Sequence, residues 1–121
     1  MGRIIHEVKI YSAINSDESI VIDALVDGGA SIMALPAHFA ERFPNLSFGE
    51  SECVTASEVV KAKIGWPVRI CLTGFRPVSS EVAFLKALEE PLIGYTVLEV
   101  IPAAVDMLGH RIVPVKYLDM K

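Results

Sequence analysis

Apolar and polar residues alternate along most of the chain with the two-residue period that is typical of β-strands. The alternation predicts a first strand from Ile4 to Tyr11 and a second strand from Ile20 to Val26, separated by the polar turn of residues 15–19. The second strand is rich in β-branched and other apolar residues, so we expect it to be largely buried.

The middle of the chain predicts four further strands. They are expected over residues 48–56, 59–64, 65–72 and 80–85. The first two meet at Ala56-Ser57-Glu58, which makes them a hairpin, and Gly65-Trp66-Pro67 is expected to begin the third as a separate strand. In the fourth, the alternation leaves open whether Val82 and Phe84 or Ala83 and Leu85 face inward.

Two short helices interrupt this pattern. Pro36 is suited to the first position of a helix, which would carry Phe39, Ala40 and Phe43 on one side and end at Pro44. A second helix is predicted to begin after Gly94 and to end before Pro102, and residues 104–105 and 112–115 then predict the last strands. The expected fold class is therefore all-β with one or two short helices, in a single domain over residues 1–121.

The composition points to self-association. Of the 121 residues, 52% are hydrophobic and only 21% are charged. One domain of this length cannot easily bury so much apolar side chain in its own core. We therefore expect an apolar surface that a second copy covers.

Charge and targeting signals exclude several other partners. The net charge is -4 and no basic cluster follows the chain, so nucleic acid is not an expected partner. No apolar run is long enough to cross a bilayer and the beginning of the chain lacks the apolar region of a signal peptide, so we expect no membrane partner and a cytoplasmic location.

Metal and disulfide sites are not favoured either. His38 and Glu41 lie one helical turn apart, but no third ligand is near them, which favours an exposed helix face over a metal site. Cys53 and Cys71 are isolated, so we expect reduced, packed thiols. We predict no metal and no cofactor.

The candidate chemistry lies where the second strand ends. The segment Ala24–Ser31, with the sequence ALVDGGAS, places Asp27 and two glycines directly after the apolar run. Asp-Gly is also a common turn dipeptide, so one interpretation is an ordinary turn between two buried strands. The alternative is a carboxylate held on a tight loop that faces something outside its own strand.

This segment resembles the active-site loop of the retropepsin-like aspartic proteases, whose signature is two hydrophobic residues followed by Asp-Thr/Ser-Gly-Ala. A second segment supports the resemblance, because Leu92, Ile93 and Gly94 are similar to the family's hydrophobic-hydrophobic-Gly segment, which passes beneath the loop. Residues 105–114 also resemble the closing hairpin of small bacterial members. The matches follow the family's order along the chain.

The resemblance implies a single-lobe acid-protease barrel that forms a two-fold dimer, because each chain supplies one aspartate, here Asp27. It further implies that Gly29 provides an amide near the carboxylates, that Ala30 packs beside them and that Ser31 contacts the substrate main chain. Gly28 departs from the signature, since the family's Thr or Ser at this position makes hydrogen bonds across the dimer.

The resemblance also implies a role for the tip of the predicted hairpin. In the family this hairpin is a flap over the substrate, which makes Ala56, Ser57 and Glu58 candidates for substrate contact. A plain hairpin without a lid role is an equal alternative, because the predicted tip contains no glycine.

The first function hypothesis is a homodimeric aspartic endopeptidase that acts on a peptide or protein substrate. Like-charge repulsion would make the paired Asp27 carboxylates hold a single proton, so that one activates water while the other polarises the carbonyl. The second hypothesis is a weak or inactive member of the same fold that acts as a dimeric binding or regulatory module. A third is a small β-barrel in which Asp27 is only a turn residue.

Overall fold

A computed structural model describes residues 3–54 and 58–114 of the chain. It is built mainly from β-strands, with one 3₁₀ helix at Ala37–Arg42 and one α-helix, α1, at Tyr95–Val100. The prediction of a mostly β structure with one or two short helices is confirmed. The strands are β1 Ile5–Ser12, β2 Ser19–Val26, β3 Met33–Pro36, β4 Ser47–Val54, β5 Val59–Leu72, β6 Val78–Leu85, β7 Leu92–Ile93, β8 Ala103–Asp106 and β9 Arg111–Pro114.

Seven strands form one mixed sheet in the order β1-β2-β7-β3-β6-β5-β4, and β1 also pairs with β5. Most neighbours are antiparallel, but β7 runs parallel to β2 and β6 runs parallel to β3. The two-residue strand β7 lies between β2 and β3, although it follows them in the chain by more than fifty residues. This insertion brings a distant segment to the end of β2, where Asp27 lies.

The long strand β5 differs from the sequence-based expectation of two strands that break at Gly65-Trp66-Pro67. The chain continues from Val59 to Leu72 as one strand. Its first half pairs with β4 and its second half with β1. The register against β6 shifts between Gly65 and Val68, and this irregularity accommodates Pro67, which has no N–H to donate to a regular ladder.

The first helix also differs in detail from its prediction. Pro36 is the last residue of β3, and the six residues that follow form a 3₁₀ helix rather than an α-helix. Phe43 just beyond it is completely buried, while Phe39 and Ala40 are half-buried against the core. The helix after Gly94 begins and ends as expected, and Arg76 donates to the carbonyl oxygens of Val100 and Ile101 at its end.

Two apolar clusters cover the two faces of the sheet. The larger one contains the most completely buried side chains, among them Ile10, Met33, Leu35, Ile70 and Ile93. The smaller one lies on the opposite face and consists of Ala34, Ala62, Ile64 and Ala83. Because both faces of β6 are covered, Val82, Ala83 and Phe84 are all buried, and both alternatives for that strand are partly right.

The last two strands form a separate antiparallel hairpin, as predicted for these residues, while Val115 and the chain beyond it lie outside the described part. A turn of residues 107–110 joins them. At its base, Asp106 accepts hydrogen bonds from the Gly109 amide and the Arg111 side chain. In the described part of the chain, no helix has the length and hydropathy required to span a membrane.

Candidate active site

Asp27 follows β2 directly and begins a tight loop. Its side chain is half-buried, and its Oδ1 accepts a hydrogen bond from the Gly29 amide at 2.8 Å. Its carbonyl oxygen accepts another from the Ala30 amide at 3.2 Å, which closes the turn. Across residues 3–54 and 58–114, no group donates to Oδ2 and no ion pair involves Asp27. Hydrogen bonding within the turn therefore involves only one of the two carboxylate oxygens of Asp27.

A second segment crosses this loop and holds it by backbone hydrogen bonds. The Leu25 amide donates to the Pro91 carbonyl at 2.9 Å, and the Asp27 amide donates to the Ile93 carbonyl at 3.0 Å. Beyond the turn the direction reverses, because the Tyr95 amide donates to the Ala30 carbonyl at 2.9 Å. The segment is thus bonded to the chain both before and after the turn, which fixes the position of Asp27.

Gly94 lies at the point of closest approach between the two segments. A Cβ atom there would lie 2.4 Å from the Ile32 carbonyl oxygen and within 2.6 Å of the Ile32 nitrogen. These atoms belong to the backbone and cannot rotate away. The φ of Gly94 is -79°, which any residue can adopt, so space alone requires glycine here.

Thr96 is a part of this arrangement that sequence reasoning missed. Its amide donates to the Ser31 carbonyl at 3.2 Å, and its hydroxyl donates to the same oxygen. It lies in the first turn of α1, where amide groups lack partners within the helix. No periodic pattern predicts this hydrogen bond, because the accepting Ser31 carbonyl oxygen lies 65 residues away in the sequence.

The remaining loop residues differ in exposure. Gly28, Gly29 and Ser31 are exposed, whereas Ala30 is half-buried. A Cβ atom at Gly28 would meet no atom within 4 Å, so steric contacts within one chain do not require glycine at this position. Within the described residues, the Ser31 side chain makes no hydrogen bond, and the residue contributes its carbonyl oxygen to the crossing.

The structure brings together some of the predicted site residues and not others. The Asp27 loop meets Leu92, Ile93 and Gly94 directly. Ala56 and Ser57 lie outside the described residues. Glu58 is exposed at the start of the β5 side of the hairpin. It lines a groove of about 1110 Å³ between the 3₁₀ helix, the hairpin and residues 86–88, and the Asp27 loop is not part of that lining.

A second depression, of about 490 Å³, adjoins the Asp27 loop. We call it the loop-side depression. Apolar side chains form most of its wall, together with Gly28 of the loop and the exposed side chain of Arg3. Its lining residues are Arg3, Ile4, Leu25, Val26, Gly28, Val105 and Met107.

Other candidate groups lie away from this loop. His38 is exposed and stacks on Phe39 with ring centroids 4.3 Å apart, and Glu41 is exposed as well. Cys53 and Cys71 are free, half-buried thiols. Within residues 3–54 and 58–114, no three His, Cys, Asp or Glu side chains are grouped so that they could hold a metal ion.

Comparison with known proteins adds no assignment. A scan against protein-family models finds no match to the chain, and no curated protein matches it.

Proposed function

We propose that this chain is a homodimeric aspartic endopeptidase of the retropepsin-like type, in which Asp27 of each copy forms the catalytic pair. Water is the nucleophile, and the substrate is a peptide or protein. Neither a metal nor a cofactor takes part.

The crossing of the Asp27 loop by Leu92–Gly94 is the observation that carries the proposal. An ordinary turn between two strands needs no second segment bonded to it on both sides. Here the Asp27 amide is tied to the Ile93 carbonyl at 3.0 Å, and Gly94 contacts the Ile32 backbone so closely that no side chain fits. Such reinforcement supports a carboxylate that must keep a fixed position, as catalytic geometry requires.

The sheet topology supports the finer assignment of the fold. Because β1 pairs with both β2 and β5, the strands β1, β2, β7, β3, β6 and β5 follow one another in a closed ring. We assign this ring as a single-lobe barrel from which the β4–β5 hairpin extends. Each chain offers one Asp27, so a two-fold dimer is needed to bring two carboxylates together.

In the proposed mechanism the two Asp27 carboxylates share one proton because two negative charges cannot lie so close. The ionised carboxylate accepts a proton from water as the water oxygen bonds to the carbonyl carbon. The protonated one gives its proton to the carbonyl oxygen. Collapse of the tetrahedral intermediate breaks the C–N bond as the carboxyl that took the proton from water gives it to the leaving nitrogen. The other carboxylate accepts the proton of one hydroxyl of the intermediate, so the pair again holds one proton. Among the described residues no group donates to Asp27 Oδ2, which suits this exchange.

The test is cleavage of a mixed peptide library by the purified chain, followed by mass spectrometry from acidic to neutral pH. We expect cleavage with a maximum at mildly acidic pH, where the pair holds one proton. Asp27→Asn should lower the rate by about 10³-fold, because general acid–base catalysis contributes that order of magnitude.

Asp23→Asn is the matched control for this experiment. It removes an exposed carboxylate from the same strand, four residues before the loop. It should leave the cleavage rate unchanged. Cleavage that survives in Asp27→Asn, or that falls equally in the control, would contradict the assignment of Asp27.

Gly28 favours a second candidate function, a dimeric binding module that cleaves slowly or not at all. The family's hydroxyl is absent at this position, and a side chain there would meet no atom of its own chain within 4 Å. Gly28→Ser should therefore fold normally and supply the missing hydrogen bond across the dimer.

Gly28→Ala is the control for that substitution, since it adds the same carbon without the hydroxyl. If the chain is a protease whose rate is limited by the missing hydroxyl at position 28, Gly28→Ser should cleave about 5-fold faster than Gly28→Ala. This ratio is the effect of one net hydrogen bond. If the native chain and both variants form dimers that fail to cleave peptides, the protease would be refuted in favour of the binding module.

A further inference from the structure

The carbonyl oxygen of Ser31 accepts two hydrogen bonds from a single residue. The Thr96 amide donates to it at 3.2 Å, and the Thr96 hydroxyl donates to it as well. The amide bond alone is ordinary, because Thr96 lies in the first turn of α1, where an amide has no partner within the helix. The hydroxyl is not needed for this purpose, so it adds a second constraint on Ser31.

The two bonds hold one peptide group in a fixed orientation. The Ser31 carbonyl and the Ile32 nitrogen belong to the same planar unit. Thr96 binds the oxygen of this unit, and a Cβ atom on Gly94 would lie within 2.6 Å of its nitrogen. A single hydrogen bond allows a carbonyl group to tilt, whereas a second donor from a β-branched side chain with few rotamers limits that tilt. The peptide group after Ser31 is therefore held from both ends.

The remaining polar groups of Ser31 are available to a ligand. The residue is exposed, and within residues 3–54 and 58–114 neither its amide nor its hydroxyl makes a hydrogen bond. Both groups can donate, and the backbone carbonyl oxygens of an extended peptide are acceptors that need donors. Ser31 thus combines a carbonyl fixed by Thr96 with two donors that the described part of the chain does not use.

Asp27 is held by a separate set of hydrogen bonds. Its amide donates to the Ile93 carbonyl at 3.0 Å, and its Oδ1 accepts from the Gly29 amide at 2.8 Å. Thr96 takes part in neither of these bonds. Loss of the Thr96 hydroxyl should therefore loosen Ser31 and leave the Asp27 carboxylate in place.

We infer that Thr96 is a positioning residue for peptide binding. Its hydroxyl fixes the peptide group after Ser31, so that the Ser31 amide and hydroxyl meet the main chain of the substrate. The inference rests on the proposed function for the identity of the ligand, which is a peptide. Thr96 touches neither the substrate nor the reacting atoms and acts through Ser31. It governs how tightly the peptide binds, whereas Asp27 governs bond cleavage.

The first test compares kcat and KM in Thr96→Val, which removes the hydroxyl and leaves a side chain of similar shape. The probe is the peptide of the mixed library that the native chain cleaves fastest. We expect KM to rise about 5-fold, the effect of one net hydrogen bond, while kcat changes by less than about 2-fold. The pH of fastest cleavage should not change, because Asp27 keeps its surroundings. Thr96→Ser retains the hydroxyl and should bring KM to within about 2-fold of the native value.

Thr73→Val is the matched control. The Thr73 hydroxyl also donates one hydrogen bond, to Glu7 Oε1 at 2.8 Å, and Thr73 lies in the turn after β5, outside the Asp27 loop. Its replacement should leave KM and kcat within about 2-fold of the native values. Circular dichroism shows whether each variant is folded. If Thr96→Val is unfolded, Thr96→Ala decides the test, because alanine also lacks the hydroxyl and favours a helix.

A second test requires no cleavage. In a chain that carries Asp27→Asn, the Ser31 amide signal is followed by nuclear magnetic resonance while the mixed peptide library is added. We expect the signal to shift. The library concentration that gives half of the full shift should be about 5-fold higher when Thr96→Val is also present, and unchanged when Thr73→Val is present instead.

The inference would be overturned by a KM that is unchanged in Thr96→Val, by a kcat that falls as far as KM rises, or by a Thr96→Ser variant that behaves like Thr96→Val. A Ser31 signal that the library does not shift would overturn it as well. The two tests also separate the inference from the proposed function. If peptide binding at Ser31 depends on Thr96 but the native chain cleaves nothing, the positioning role stands and the protease is refuted. If Asp27-dependent cleavage has a KM indifferent to Thr96, the protease stands and the positioning role is refuted.

Discussion

The Asp27 crossing and the β8–β9 hairpin lie close together but are built in opposite ways. At the crossing, residues far apart in sequence are bonded on both sides of a turn, and Ile93 is completely buried. The hairpin is held by its own ladder, by the Asp106–Arg111 contact and by Ile112, which is buried in the main core, but its tip residue Leu108 is almost fully exposed. One region is fixed by the chain itself, and the other has apolar surface left to bury.

This difference separates a position that the proposed dimer requires from one that it does not. A carboxylate that shares a proton with its copy must have a position that thermal motion does not change, which the crossing provides. The hairpin tip has no such requirement, and a side chain that stays exposed contributes little to the stability of the fold. We therefore expect substitutions at the crossing to unfold the chain and substitutions at the hairpin tip to leave its stability almost unchanged.

The largest effect is expected for Gly94→Ala. The new Cβ would lie 2.4 Å from the Ile32 carbonyl oxygen, so the two backbone segments must separate. We expect a loss of about 4 kcal/mol or more in the free energy of unfolding, measured by urea denaturation. Gly28→Ala adds the same carbon where no atom lies within 4 Å and should cost less than about 1 kcal/mol. Equal losses in the two variants would show that the crossing is not tightly packed.

A smaller but still large effect is expected for Ile93→Ala. Its side chain is completely buried in the main core, so truncation should cost about 3 kcal/mol. Leu108→Ala removes a similar side chain that is 96% exposed, and the monomer should change by less than about 0.5 kcal/mol. Both are measured by thermal denaturation at concentrations where the native chain is monomeric. A Leu108→Ala monomer as unstable as Ile93→Ala would contradict the proposed contrast.

The smallest effect concerns pH and the base of the hairpin. Hydrogen bonds from the Gly109 amide and the Arg111 side chain lower the pKa of Asp106 below its ordinary value of 3.8. A lowered pKa in the folded state stabilises the hairpin above pH 3.8, and this contribution is lost as the pH falls through the lowered value.

Amide hydrogen exchange of β8 and β9 should therefore become faster, relative to the rest of the chain, when the pH falls below this range. In Asp106→Asn the hairpin should exchange faster at neutral pH, and its relative protection should no longer change with acid. If the native chain and Asp106→Asn show the same relative protection at every pH, ionised Asp106 does not stabilise the hairpin.

The sequence predicts most of the longer strands, but it predicts neither β3 nor β7, it divides β5 in two, and it predicts the arrangement of the strands poorly. Alternation of apolar and polar residues locates β1 and β2 because each has one face in the core and one exposed. The expectation that β2 is largely buried is therefore wrong, since Val21 and Asp23 are exposed.

The alternation does not predict that β7 pairs between β2 and β3. A strand of two residues is too short to show a period, and Leu25, the partner of Leu92, lies 67 positions earlier in the sequence. That contact was expected only because Leu92, Ile93 and Gly94 resemble a family segment.

The errors have physical causes as well. Gly65-Trp66-Pro67 predicts the start of a new strand because glycine and proline are typical of strand boundaries, but a register shift accommodates Pro67 within β5. Thr96 was missed because its hydroxyl serves a distant carbonyl oxygen. The exposure of Leu108 was not predictable either, since an apolar residue in a turn gives no sign of which way it faces.

The central claim is that two Asp27 carboxylates meet across a two-fold axis. The most direct measurement is their separation in a crystal structure of the oligomer that forms in solution. We predict carboxylate oxygens about 3 Å apart, within hydrogen-bonding distance, so that one proton is shared. An oligomer in which the two carboxylates lie too far apart for one proton to bridge them, or a monomer with Asp27 enclosed in its own turn, would contradict it.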